Sequence, residues 1–187
     1  MLKSMLLVTC LVTAIEKICR KSRAGINTIW VTESTNVDAI TFGANGEVTA
    51  ITMVAPNVFV PISFRTNPGT AFFNQPYTRV GNAKNHVQTI SFDIEGYSIE
   101  LREQLESLDA CCGYIAIVLD NNGLRHLAGI TYDDATGTYL VEQLRTGDGT
   151  TNTNADPTSE EFINTITLTS NAGTRAPLLD PSVVIPV

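Results

Sequence analysis

The residues of this chain best able to do chemistry sit together in "VLDNNGLRHLAGI", residues 118–130. A carboxylate (Asp120), two amides (Asn121, Asn122) and an imidazole (His126) fall within seven residues. A general base oriented by a carboxylate needs such groups within hydrogen-bond reach. The same residues also build turns. Asp and Asn accept bonds from nearby backbone N–H groups, and Gly123 tolerates positive φ. Asp120–Gly123 lies between two apolar runs, so the pattern predicts a hairpin turn without a ligand, with His126 on the strand that follows.

The remaining candidates are weaker. His86 is the other of the two histidines and lies in the polar stretch "NAKNHV". Cys10, Cys19, Cys111 and Cys112 form no C-x-x-C pair, which argues against zinc. Cys111 and Cys112 read as small buried hydrophobes. Asn152, Asn154 and Asp156 copy the first alternating positions of a calcium loop, but Pro157 stands where that loop needs Gly and no Glu closes it. Glu100, Glu103 and Glu106 form a solvated helix face. No nucleophile elbow, phosphate loop, H-E-x-x-H or dinucleotide turn occurs. We therefore expect no catalytic residues, no metal and no cofactor, and a chain that is not an enzyme.

Period-two alternation dominates the elements that would position these groups. "TIWVTE" predicts a first strand. "DAITFGANGEVTAITM" predicts a hairpin about the "GANG" turn. "VFVPISF", residues 58–64, carries Pro61 and so predicts an edge strand or a bulge. "VQTISFDIE" predicts a half-buried strand. In "SIELREQLESLDACCG", Leu101, Leu105, Leu108 and Cys112 fall on one helical stripe, Ser98 can cap the start, and Gly113 can end the helix in the left-handed region. "YIAIVL" predicts a central strand buried on both faces. "LRHLAGI" and "TYLVEQL" predict a meander joined by "YDDATG", and "FINTITLT" a last strand. The tail "RAPLLDPSVVIPV" has prolines at 177, 181 and 186 and is expected to run extended over a surface. The segment 65–86 reads as a long polar loop, and 146–161 as another.

The fold expected is mainly β: a two-sheet β-sandwich or partial barrel with one flanking α-helix and extended N- and C-terminal segments. Its parts are an N-terminal segment 1–25, a sandwich 26–170 with the helix at 98–112, and a C-terminal tail 171–187. The chain has 187 residues, 43 % of them hydrophobic, enough for one globular domain. Its net charge of −7 is uneven. Residues 1–25 hold Lys3, Lys17, Arg20, Lys21 and Arg23 against Glu16, a net +4, so the rest carries −11. An acidic body argues against tight nucleic-acid binding. Met5–Ile15 has the length of a signal sequence, but no small-x-small cleavage site follows and Glu16–Lys17 comes directly after. The run is too short to span a membrane. We expect it to be retained and packed, with no membrane insertion.

The order of the pieces resembles that of tail tube-like virion proteins of phages and prophages of the Bacteroidetes type. The likeness rests on the early cysteine segment, "ITFGANGEVTAI", "QTISF", a single helix and "IVLDNNGLRHLAG", and covers residues 8–145. The loop 146–161 and the tail lie outside it. The resemblance implies a subunit of stacked six-fold rings that form a conduit for phage DNA. The DNA would pass without specific binding, and the partners would be copies of the chain and other tail or neck proteins, in a virion assembled in the host cytoplasm. Phe72, Phe73 and Tyr77, aromatics in a polar stretch, are then candidates for burial by a neighbouring subunit, and Lys17, Arg20, Lys21 and Arg23 for a contact with its carboxylates. Alternatives are a tail-completion, collar or head–tail connector subunit of the same fold, a secreted ligand-binding β-sandwich, and a hydrolase with an unrecognised site.

Overall fold

The computed structural model describes residues 25–65, 70–80, 83–96, 98–109, 113–133, 138–147, 150–153 and 162–187, and the structural statements below concern these. The expectations for Met5–Ile15, for the four cysteines, for Lys17, Arg20, Lys21 and Arg23, and for most of 146–161 lie outside them.

The chain is mainly β with one helix, its strands divided among several sheets, and no closed barrel is formed among the described residues. Strand β1 (Ile26–Glu33) leads into the hairpin β2 (Val37–Phe42) and β3 (Val48–Met53). Next come β4 (Val60–Ile62), β5 (Ala71–Asn74), β6 (Tyr77–Val80), β7 (Ala83–His86) and β8 (Gln88–Glu95). Helix α1 (Ile99–Asp109) separates these from β9 (Tyr114–Asp120), β10 (Arg125–Ala128), β11 (Ile130–Asp133), β12 (Thr138–Val141), β13 (Arg145–Thr146), β14 (Thr150–Thr153) and β15 (Phe162–Ser170). One sheet has the order β10-β9-β1-β4, and a second has β13-β15-β8-β5 with β14 also on β15. The pairs β2–β3, β6–β7 and β11–β12 stand apart.

Strand β9 explains the layering. Its side chains alternate, and both sets are buried. Ala116 and Val118 join Ile29, Val31, Ile90, Phe92, Ile166 and Leu168 in a core shared by the two larger sheets. Ile115 and Ile117 join Val48, Phe59, Leu127, Ile130, Leu179 and Val183 in a second core on the other face of the first sheet. That second face is covered by the β2–β3 hairpin and by the C-terminal segment. A strand apolar on both faces needs a layer on each side, as the run "YIAIVL" predicted.

The C-terminal segment does more than run over a surface. Leu127 donates its N–H to the Pro177 carbonyl at 2.9 Å, and Leu179 donates to Arg125 at 2.8 Å, on the outer edge of β10. On its other side, Val48 donates to Leu178 and Asp180 to Val48, at 2.8 and 2.9 Å. Farther on, Phe59 donates to Pro186 at 2.8 Å, just before β4. The segment thus starts at one edge of the first sheet and ends at the other. The division of the chain at residue 170 misses this, because Leu179 and Val183 belong to the second core.

Three other expectations are corrected, and a fourth, the edge strand at Pro61, holds over a shorter span. "LRHLAGI" is not one strand: Gly129 sits at φ +92° and separates β10 from β11, which leaves the first sheet to pair with β12. Leu144 then takes the place beside Tyr114, each donating its N–H to the other's carbonyl at 2.8 Å. Residues 65–86 are not merely a loop, since β5, β6 and β7 lie within them. Of 58–64, only 60–62 is strand, and it is an edge strand, as Pro61 requires. Gly113 is not left-handed. An added Cβ would stand 2.2 Å from the Gln143 side chain, so a close approach is what this position needs glycine for. Helix α1 is capped as read, with Leu101 donating its N–H to Ser98 Oγ at 3.0 Å, and Leu105 and Leu108 pack against the inner core.

Candidate functional site

The cluster at 120–126 is a turn builder. Asp120 ends β9, and its Oδ1 accepts the N–H groups of Asn122 and Leu124, each at 2.8 Å. Gly123, at φ +84°, donates to the Asp120 carbonyl at 3.1 Å. Asn121 donates its N–H to the Gly25 carbonyl at 3.2 Å, tying the turn to the start of β1. His126 follows on β10, with Nε2 3.7 Å from Asp120 Oδ2. Its ring packs against Phe73 at a centroid distance of 5.4 Å. The carboxylate therefore uses one oxygen for two backbone donors and offers the other to an imidazole that is mostly buried.

Electrostatics follow from this geometry. Burial alone would raise Asp120, but the N–H bonds from Leu124 and Asn122, the Asn122 amide and nearby His126 outweigh it and hold the carboxyl below its ordinary 3.8. Burial lowers His126 below 6.5, and Asp120 offsets this only in part. His86 is lowered as well, first by burial and then by Arg175, with Lys84 adding to a shift that the Gln75 backbone bond opposes. The Nδ1 atoms of both histidines are buried without a hydrogen-bond partner among the described residues. Neutral imidazoles suit such places. His86 was expected in a polar loop and instead lies buried on β7. The lone signal for this was the single apolar Val87 after it.

The three aromatic candidates are not brought together. Phe72 points outward from β5 and is exposed. Phe73, its neighbour, is half-buried and packs against the inner core and His126. Tyr77 is exposed, lies opposite His86 in the β6–β7 pair at 5.5 Å between rings, and carries Lys84 Nζ 5.5 Å from its ring centroid.

Two surface features escaped the sequence. An open groove of about 840 Å³ lies beside β10 and the C-terminal segment, lined among others by Glu47, Leu124, Tyr139, Arg175, Leu178 and Asp180. Val54, Val58, Val60 and Val187 are exposed, and Val60 shares a face of β4 with Ile62. The groove depends on where the C-terminal segment crosses the sheet, which no local pattern encodes. Among the described residues, no three His, Cys, Asp or Glu side chains are grouped to hold a metal ion, and no helix is long and apolar enough to cross a membrane.

No protein family, curated protein or solved structure matches this chain.

Proposed function

We propose that this chain is a structural subunit of a phage tail tube, which assembles into stacked six-fold rings and leaves a passage for DNA. The observation that carries the reading is the exposure of large aliphatic side chains at strand edges: Val58 and Val60 at β4, Leu140 and Val141 on β12, and Leu124 and Leu178 beside β10. Isolated soluble chains bury or scatter such groups, whereas assembling chains concentrate them. The resemblance in the order of elements supports the same reading. Its pieces — the β2–β3 hairpin, β8, α1 and the β9–β10 turn — all build the framework. The "DNNG" turn, the place in the sequence most suggestive of catalysis, commits its carboxylate to backbone N–H groups. The chain thus acts by assembly and not by catalysis.

Negative-stain imaging of the purified full chain tests this. Rings or tubes with a central passage are expected. Isolated particles at every concentration would contradict it. A tail-completion or connector subunit would give single rings that do not stack. The groove beside β10 favours one further reading, a ligand-binding β-sandwich, which predicts isolated particles whose melting temperature rises with a small ligand.

A further inference from the structure

We infer that residues 172–187 form an acid-sensitive strap, released at its root when the buried imidazole of His86 takes up a proton. The device belongs to the single chain and does not rest on the assembly reading.

The strap is held along its length by side chains and by backbone bonds to its neighbours. Leu179 and Val183 enter the second core. Its carbonyls at Pro177, Leu178 and Pro186 accept the N–H groups of Leu127, Val48 and Phe59. Pro177, Pro181 and Pro186 keep it extended and bar it from winding into a helix of its own. A segment tied in this way can open locally while the sheets beneath stay paired.

Three contacts link the root to His86. The His86 N–H donates to the Ala172 carbonyl at 2.8 Å. The Gln75 backbone carbonyl accepts a bond from the His86 ring, and Gln75 Oε1 accepts the Ala176 N–H at 2.7 Å. Arg175, exposed on the strap, lies close enough for its charge to act on the imidazole. Between these points Gln88 and Thr131 hold Thr174 and Gly173.

The surroundings of the ring disfavour a cation. His86 is 7 % exposed, and its Nδ1 has no hydrogen-bond partner among the described residues. Tyr77 of β6 packs against it at 5.5 Å between rings. The charged groups that face it are Arg175 from the strap and Lys84 from its own strand, and among the described residues no carboxylate offsets them. A proton on Nδ1 would set a third positive charge beside two, with no acceptor for the new N–H. Burial first, then Arg175 and Lys84, accordingly hold His86 below its ordinary 6.5, against the Gln75 bond. Lifting the root removes Arg175 and lets water reach the ring.

Linkage gives the sign. The released form takes its proton near 6.5, the closed form only at lower pH. Release therefore becomes easier as pH falls through the interval between the two, by up to tenfold per pH unit for one proton, and gains nothing further below it. Above that interval neither form is charged and the strap stays seated. His126 does not share this role. The strap bridges its backbone at Leu178, but its ring faces Phe73 and Asp120, whose carboxylate offsets a charge there.

Hydrogen exchange on the full chain from about pH 5 to 8, corrected for intrinsic rates, tests this. The Leu179 and Asp180 amides, which bond to Arg125 and Val48, report release of the strap, and the amides of β9 report opening of the whole fold. In the parent, protection of Leu179 and Asp180 should lie below that of β9 and fall by up to tenfold per pH unit below about 6.5. His86→Gln should make it level, and His126→Phe should leave the fall in place. Arg175→Gln alters an exposed side chain, keeps His86 and should shrink the fall. Level protection in the parent, or an equal fall in His86→Gln, would overturn the role of His86. An Arg175→Gln profile identical to the parent's would overturn the repulsion assigned to the root. Protection of Leu179 and Asp180 equal to that of β9 at every pH would show that the segment leaves only with the whole fold, and that it is no strap.

Discussion

Gln88 shows how much can depend on one buried side chain. It is fully buried at the start of β8. Its Oε1 accepts the Gly129 N–H at 2.9 Å, and its Nε2 donates to the carbonyls of Ile130 at 3.1 Å and Thr174 at 3.3 Å. One amide thereby fixes the second sheet, the break between β10 and β11, and the approach of the C-terminal segment. Gln88→Leu has similar volume but removes all three of these buried hydrogen bonds, each worth about 0.5–1.5 kcal/mol. We expect a loss on the order of 3 kcal/mol in urea unfolding, with little change in slope. A loss within experimental error would show that water replaces the amide. The histidines give a second residue-scale prediction. His86 and His126 resist protonation in the fold but accept protons near 6.5 when unfolded. The unfolded state therefore binds more protons below that pH, and stability should fall as pH drops below about 6.5 and level off above it. His126→Phe should flatten part of this dependence in melting curves taken from pH 5 to 8. An unchanged profile would remove His126 from the account.

At the scale of elements, alternation and turn chemistry were legible. The β2–β3 hairpin, the Asp120–Gly123 turn, the cap at Ser98 and the double burial of β9 could all be read directly, because each is determined by residues close in sequence. Pairing was not. Nothing in "LRHLAGI" says that Gly129 must lie 2.7 Å, at its would-be Cβ, from the Tyr114 carbonyl, and so must end the strand. Nor does "RAPLLDPSVVIPV" reveal that it crosses a whole sheet, since its prolines show extension but not destination. That crossing gives the third prediction. Leu179→Ala removes an anchor of the second core and should cost about 2–5 kcal/mol. Val184→Ala, on the exposed side of the same segment, should stay within about 0.5 kcal/mol. Equal effects would mean that the segment is not seated as described. The groove was illegible for the same reason, being lined by residues far apart in the chain.

For the whole molecule, charge and assembly decide. The net charge of −7 sits on a body more acidic still. Duplex DNA presents a phosphate about every 1.7 Å of axis, and in the tail tube we propose a basic lining would release counterions and hold the DNA back. The isolated chain should therefore show little affinity for duplex DNA at physiological salt. Submicromolar, salt-sensitive binding would point to a connector that grips DNA, with Lys17, Arg20, Lys21 and Arg23 as the first residues to substitute. The central claim is assembly, and the mass of the purified full chain in solution tests it most directly. Native mass spectrometry or light scattering across the micromolar range should find six copies, or multiples of six, in equilibrium with smaller species. A stable monomer up to high micromolar concentration would contradict the account.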